Sequence, residues 1–229
     1  MCGRFTLHTP TASVASLFRQ LTMPQLNPSY NIAPTHQVAS VRFSAKQNAP
    51  EFAKLRWGLL PGWANDIRMA ARMINARSET IHEKPAFRSA FQQRRCLILA
   101  DGFYEWRATP DGKEPVYITL KSDNPFCFAG LWEQNSNVDT EPLETCTIIT
   151  TTANDLLAPL HERMPVILPS EKQEAWLDPK FQNSGVLRSF LTPLASDQMH
   201  FHTVSRSVNR VAYNQPDCIK PVATQGELF

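Results

Sequence analysis

A cysteine at the second position of a chain that begins Met1-Cys2-Gly3-Arg4-Phe5 offers chemistry that the same residue lacks elsewhere. Removal of the initiator Met before so small a side chain leaves an α-amine and a thiol on one residue. The amine titrates near ~7.7–8.0 and the thiol near ~8.5 in water, so at neutral pH a useful fraction of either is expected to be nucleophilic without much assistance. Such a 1,2-aminothiol condenses with an aldehyde: the amine forms a Schiff base and the sulfur closes on it to give a five-membered thiazolidine. The alternative is an N-terminal nucleophile hydrolase, in which the thiol attacks an amide and the amine is its base. The other four cysteines, Cys96, Cys127, Cys146 and Cys218, stand among apolar neighbours and read as small core residues. Five cysteines with no C-x-x-C disfavour a disulfide framework and a zinc ribbon, and six histidines without H-E-x-x-H or a cysteine at ligand spacing predict no metal site. No cofactor is expected.

The elements that would position Cys2 are short. Runs rich in β-formers recur at Gln37–Phe43, Phe52–Gly58, Arg95–Ala100, Val116–Leu120, Phe126–Trp132, Cys146–Thr151, Val166–Leu168 and Phe201–Val204, separated by Pro, Asn, Asp and Gly clusters. So many short strands predict a barrel or sandwich. Helices are expected at Thr11–Gln20, at Pro85–Gln92 with Ala86, Phe87, Ala90 and Phe91 on one face, and at Glu171–Leu177 with Ser170 as N-cap and Glu174 near its capping-box place. Strands are not separated by regular long helices, which argues against a doubly wound parallel sheet. The 229 residues bury a core without staples, and 42% hydrophobic with 19% charged residues excludes disorder and fibres. Eighteen prolines against eight glycines imply rigid connections, and no break in composition marks a boundary, so one domain is expected. No apolar run approaches the ~18 residues that span a bilayer, and the N-terminus lacks the pattern of a signal peptide. The expectation is a cytoplasmic, nucleoid-associated monomer with no membrane partner.

Seven segments follow one another in order: Met1-Cys2-Gly3-Arg4-Phe5, Tyr30-Asn31-Ile32-Ala33-Pro34-Thr35, Trp57-Gly58-Leu59-Leu60-Pro61-Gly62-Trp63, Ile74-Asn75-Ala76-Arg77-Ser78-Glu79-Thr80, Ala100-Asp101-Gly102-Phe103-Tyr104-Glu105-Trp106, Pro159-Leu160-His161-Glu162-Arg163-Met164-Pro165 and Val204-Ser205-Arg206-Ser207-Val208-Asn209. Together they resemble the SOS response-associated peptidase (SRAP) family from Cys2 to about Val222. The resemblance implies an α+β fold, a single compact domain over residues 1–222 built on a distorted, mainly antiparallel β-barrel with short flanking helices. Residues 223–229 are expected to be a flexible tail. It also implies a protein that crosslinks itself through Cys2, as a thiazolidine, to abasic sites in single-stranded DNA, after autoproteolytic removal of Met1, with possible AP-lyase activity. Two other classes remain as rivals: a cysteine-dependent peptidase or amidohydrolase acting on other proteins, and a passive single-stranded-DNA binding module.

The resemblance assigns roles residue by residue. Cys2 is the nucleophile through nitrogen and sulfur. Asn75 would hold Cys2 or the sugar by its amide. Glu105 would be the acid/base, and a carboxylate between apolar Tyr104 and Trp106 is expected to have a raised pKa. His161 would help open the sugar ring and assist reversal. Arg4 and Arg77 would grip phosphates beside the lesion. Pro34 and Thr35 would lie over the DNA, Thr150 would contact the sugar, and Ser205 and Arg206 would contact phosphate. Trp63 and Trp106 would stack on bases or pack in the core.

Three features stand apart from the common pattern. Ala64 replaces the second Trp of some bacterial members, and the longer loop Ala64–Met73 carries Arg68 and Arg72, a basic surface that could substitute for it. The terminal Gln225-Gly226-Glu227-Leu228-Phe229 resembles a bacterial sliding-clamp-binding peptide, departing at Gly226 and keeping Gln225, Leu228 and Phe229. Charge is unevenly distributed. A net charge of +2 by itself predicts no nucleic-acid partner, yet Lys54 to Arg95 holds nine Lys or Arg against three acids, a net +6, leaving −4 elsewhere. The expected surface is locally basic, suited to capture of a lesion on a few phosphates.

Overall fold

The computed structural model describes residues 2–18 and 21–222. Twelve strands are present among them: β1 (Phe5–Leu7), β2 (Ser29–Ile32), β3 (Gln37–Ser44), β4 (Ala49–Trp57), β5 (Asn75–Arg77), β6 (Arg95–Ala100), β7 (Gly102–Thr109), β8 (Gly112–Leu120), β9 (Phe126–Asn135), β10 (Leu143–Thr152), β11 (Arg163–Pro165) and β12 (Met199–Thr203). They form two sheets. The first runs β12-β8-β7-β1-β2 and is antiparallel throughout. The second runs β11-β10-β4-β3-β6-β9, and β9 returns to pair with β10, so that β10, β4, β3, β6 and β9 close a ring. The class is α+β, and the ring is not a regular barrel.

One parallel edge explains the distortion. Arg56 and Trp57 of β4 pair in parallel with Thr145 and Cys146 of β10, and Asn75, Ala76 and Arg77 of β5 continue along that edge opposite Ile148, Ile149 and Thr150. The two are pieces of one interrupted strand, and residues 58–74 are an excursion between them. Gly58 turns the chain out with φ +122°, and a Cβ there would lie 2.8 Å from the Ala70 carbonyl oxygen, so only glycine fits.

The sheets meet through aromatic edges. Phe5 lies 5.2 Å from Trp57 and 5.7 Å from Phe128 between ring centroids, and Phe103 lies 6.0 Å from Phe128. On the outer face of the first sheet Tyr104, Tyr117, Val204, Val208 and Cys218 form a second, smaller cluster. Side chains alternate along β7, so Phe103 and Glu105 turn toward the main core while Tyr104 and Trp106 turn away from it.

Several expectations differ in detail. β1, β2, β5, β7 and β11 are strands that the sequence reading left as motifs or loops. Val166–Leu168 is not a strand; it fills the seam where β9 and β10 diverge, with Val166 N–H on the Ile149 carbonyl and Leu168 N–H on the Cys127 carbonyl, both 2.9 Å. The helices are α1 (Thr11–Ala15), α2 (Arg88–Gln93), α3 (Ser170–Leu177) and α4 (Ser184–Ser189). The expected Thr11–Gln20 helix runs into Arg19 and Gln20, outside the described residues. Ser170 is the first helical residue of α3 rather than its cap, and Pro169 before it supplies no side-chain acceptor, so no capping box forms. The peptide containing Gln225, Leu228 and Phe229 also lies outside the described residues. Among these residues no helix is long and apolar enough to cross a membrane.

Candidate active site

The N-terminal strand is held by the start of β7. Asp101 accepts hydrogen bonds from the Thr6 hydroxyl, from the backbone N–H of His8 (2.6 Å) and Thr9 (2.8 Å), and from the Thr9 hydroxyl (3.0 Å). Gly102 then allows Tyr117 to reach Thr6, 2.7 Å between oxygens, because a Cβ at 102 would stand 2.2 Å from the Tyr117 ring. Backbone N–H of Tyr104 bonds the Arg4 carbonyl at 2.9 Å. The register so imposed carries Cys2 to the middle of β7, near Glu105.

Cys2 is fully buried. Its carbonyl accepts the Asn75 Nδ2 amide at 2.8 Å, which ties it to β5. Burial, and then the charge of Glu105, push its thiol well above the ordinary range. This corrects the expectation that the thiol is nucleophilic unassisted at neutral pH. The lost solvation belongs to the thiolate, so the sulfur needs a proton acceptor beside it.

Glu105 is 5% exposed, and burial raises its pKa while His161 pulls it back down. The direction is as expected, but the cause is not the flanking Tyr104 and Trp106. Those side chains face the other side of the sheet, and Glu105 is desolvated by burial on the face it shares with Phe103. His161 is half-buried, and its Nδ1 accepts the backbone N–H of Arg163 at 2.9 Å. A neutral ring in this position therefore carries its proton on Nε2. Glu105 thus acts electrostatically on Cys2 and His161 on Glu105, and Asn75 anchors Cys2.

β10 gathers further candidates. Arg77 pairs with Thr150, and Thr150 faces Pro165 on the other edge. Thr150 is fully buried, yet its hydroxyl has no partner among the described residues; nor does the Oδ1 of Asn75. Arg77 is exposed.

The expected DNA contacts fall into two kinds. Arg4 donates from Nη1 to Asn31 Oδ1 (2.6 Å) and to the Val208 carbonyl (2.9 Å), and its guanidinium lies 5.7 Å from the Trp106 ring. Trp106 in turn donates to Asn209 Oδ1 at 2.8 Å and is half-buried. Ser205 accepts the Ser207 N–H at 3.2 Å and caps the 3-10 turn Arg206–Asn209, so its hydroxyl has a role within the chain. Trp63, by contrast, is 58% exposed and is no core residue. Arg206 is exposed. Pro34 and Thr35 form the corner of a turn closed by His36 N–H on the Ala33 carbonyl at 3.2 Å. Thr35 has φ 75°, a left-handed conformation that strains a β-branched residue by roughly 1–3 kcal/mol.

The basic segment is less basic at the surface than its composition predicts. Arg95 is buried and spends its guanidinium on the carbonyls of Phe91, Gln92, Trp176, Asp178 and Phe181. Arg94 pairs with Glu133 at 2.9 Å and Arg68 with Asp66 at 2.8 Å. Lys54, Arg72, Arg77, Lys84 and Arg88 remain exposed. Ala64 is buried against Leu60 and Ala70, within the excursion.

Two positioning groups escaped the sequence reading. Asn31 bonds Arg4 and also donates to the carbonyls of Val208, Arg210 and Tyr213. Glu79 and Arg163 form a two-pronged ion pair at 2.7 and 2.9 Å. All three stood inside the ordered motifs, and the opposite charges of Glu79 and Arg163 were the available signal.

The chain matches the family described as SOS response associated peptidase (SRAP) over residues 1–211, and it belongs to that family. It is similar to the abasic site processing protein YoqW of Bacillus subtilis (strain 168), 44% identical over 224 residues, which span 96% of this chain and 99% of YoqW. It is also similar to the abasic site processing protein HMCES of Gallus gallus, 31% identical over 85% of this chain and 66% of that one. A crystal structure of a protein from Bacteroides thetaiotaomicron superimposes with a TM-score of 0.85 at 28% identity, covering 97% of this chain and all of the other.

Proposed function

We propose that this chain processes abasic sites in single-stranded DNA by forming a covalent thiazolidine through Cys2. The observation that carries the reading is the pairing of a buried Cys2, fixed through its carbonyl by Asn75, with a buried Glu105 whose carboxyl is shifted toward the protonated form. The relatives named as abasic site processing proteins supply the substrate class.

The steps follow from the protonation states. Once Met1 is removed by self-processing, the Cys2 amine attacks the aldehyde carbon of the ring-opened sugar. Glu105, protonated near neutrality more readily than an exposed acid, donates to the departing oxygen as water leaves and an imine forms. The resulting carboxylate is the proton acceptor that the buried thiol lacks. The imine keeps the amine's remaining proton as an iminium, sulfur adds to its carbon, the thiol proton returns to Glu105 and restores it, and one water is the net product. His161, with its proton on Nε2, is suited to donate to the sugar oxygen during ring opening. The unpartnered Thr150 hydroxyl and Asn75 Oδ1 are available to sugar hydroxyls, and Arg77, Arg206 and Trp63 to the flanking strand. A single domain over residues 1–222, acting as a monomer near the nucleoid, and a clamp-docking tail complete the proposal.

A denaturing gel tests it. The processed protein, incubated with an abasic-site oligonucleotide, is expected to give a heat-stable shifted band that Cys2→Ala abolishes and that an N-terminal tag blocks. Cys2→Ser should cleave the strand through a transient imine yet hold it poorly. A band that survives Cys2→Ala would sink the mechanism, whereas DNA binding with no band at all would leave a passive binding module. Cleavage of an unrelated polypeptide, lost with Cys2→Ala, would favour a peptidase.

A further inference from the structure

The two outer strands on β10, β5 along one edge and β11 along the other, are tied together across its end by a single ion pair. Glu79 follows β5 by two residues, just after Ser78 N–H bonds the Thr150 carbonyl at 2.9 Å. Arg163 opens β11 opposite Thr152. Its guanidinium reaches back over β10, donating to the same Thr150 carbonyl at 2.6 Å and to both oxygens of Glu79. Arg163 is 8% exposed, and among the described residues Glu79 is its one acidic partner. A guanidinium so buried depends on its countercharge to stay where it is. The backbone N–H of that same Arg163 is the donor that His161 Nδ1 accepts. The side-chain clamp and the hydrogen bond that selects the imidazole tautomer therefore belong to one residue.

We propose that Glu79 is a positioning residue: by gripping Arg163 it fixes the tautomer and placement of the His161 ring and the carbonyl of Thr150. The proposal rests on the assignment of His161 to the chemistry of Cys2. Without the carboxylate, Arg163 turns toward water, its N–H no longer meets Nδ1 squarely, and the two neutral tautomers of His161 compete. With the proton on Nδ1, the ring has no donor to present at Nε2.

The test uses the full chain labelled with 15N, reading the ring nitrogens of His161, assigned with His161→Gln, and the crosslinking rate against pH with an abasic-site oligonucleotide. The wild-type ring is expected in the Nε2–H form. Glu79→Gln should give a mixture of tautomers, with the rate falling between about 10- and 100-fold and its pH profile displaced. Glu79→Asp, which keeps the charge with a shorter reach, should recover part of both, and it replaces Glu79→Gln if that variant does not fold. A lower melting temperature with unchanged tautomer and unchanged pH profile would overturn the proposal, because Glu79 would then only stabilise. A shifted tautomer in a protein that forms no crosslink even as wild type would sink the functional reading while leaving the positioning role intact.

Discussion

Asp101 and Glu105 stand four residues apart around β7, 6% and 5% exposed, and the chain treats them in opposite ways. Four donors from β1 and the two residues after it converge on Asp101. Its charge is solvated by protein, and it fastens the strand that carries Cys2. Glu105 sits on the core face beside Phe103, where burial dominates and lifts its pKa. Equal burial gives a structural acid in one region and a reactive acid in the other: four donors stabilise the charge of Asp101, whereas at Glu105 desolvation outweighs the nearby charges that favour its ionised form. More generally, groups satisfied within the chain, as Asp101 is, build the site, and unpartnered groups such as the Thr150 hydroxyl are available to a substrate.

Asp101→Ala should break the first half of that comparison with the largest effect on stability. Buried donors at His8 and Thr9 lose a charged acceptor, at a cost of roughly 3 kcal/mol or more, equivalent to a melting temperature lower by about 6–12 °C for a chain of this size. Crosslinking by the protein that remains folded at low temperature should change little. An unchanged melting curve would show that the four hydrogen bonds do not hold the strand.

Glu105→Gln tests the other half and should act on rate instead. Loss of the proton carrier is expected to slow crosslinking by on the order of 100-fold. Stability should move the other way. The folded-state pKa of Glu105 lies above its unfolded value, so the folded chain keeps a proton that the unfolded chain releases across that window. Stability therefore falls as pH rises from the ordinary glutamate range to the raised value, and the full penalty is present above it. Glu105→Gln removes this dependence, so it should melt no lower than wild type at pH 7 and show a flatter profile across the window. A variant that melted lower at pH 7 would make Glu105 a structural acid like Asp101.

How far the sequence reveals this division depends on range. Ordered motifs place Cys2, Asn75, Glu105 and His161 together, and runs rich in β-formers find the longer strands of the ring. Three-residue strands such as β1, β5 and β11 are invisible because each is fixed by distant partners and not by its own pattern. The raised pKa of Glu105 is legible in direction, but only the pleat shows that the adjacent Tyr104 and Trp106 face away from it and that it is buried on the face of Phe103. Charge counting fails at Arg95 for the same reason. Five carbonyls, three of them more than 80 residues away, convert a basic residue into a packing device.

The excursion at residues 58–74 repeats the comparison at the surface and gives its smallest predicted effects. Trp63, exposed, should contribute about 1–3 kcal/mol to single-strand affinity if a base stacks on it, with no loss of stability in Trp63→Ala. Arg72, exposed and in no ion pair among the described residues, should reduce the salt dependence of binding by about one ion when replaced by Ala. Arg68 differs from Arg72 in having Asp66, whose carboxylate it meets at 2.8 Å with both side chains largely in water. That pair is worth little to the fold, but it neutralises a charge that would otherwise face the phosphates. Arg68→Ala should therefore weaken binding less than Arg72→Ala, measured by fluorescence anisotropy at moderate salt. Asp66→Ala should tighten binding slightly, and only while Arg68 is present. If Asp66→Ala binds more weakly, the internal partner is organising Arg68 for the strand instead of withholding it, and the rule drawn from Asp101 and Thr150 does not extend to the surface.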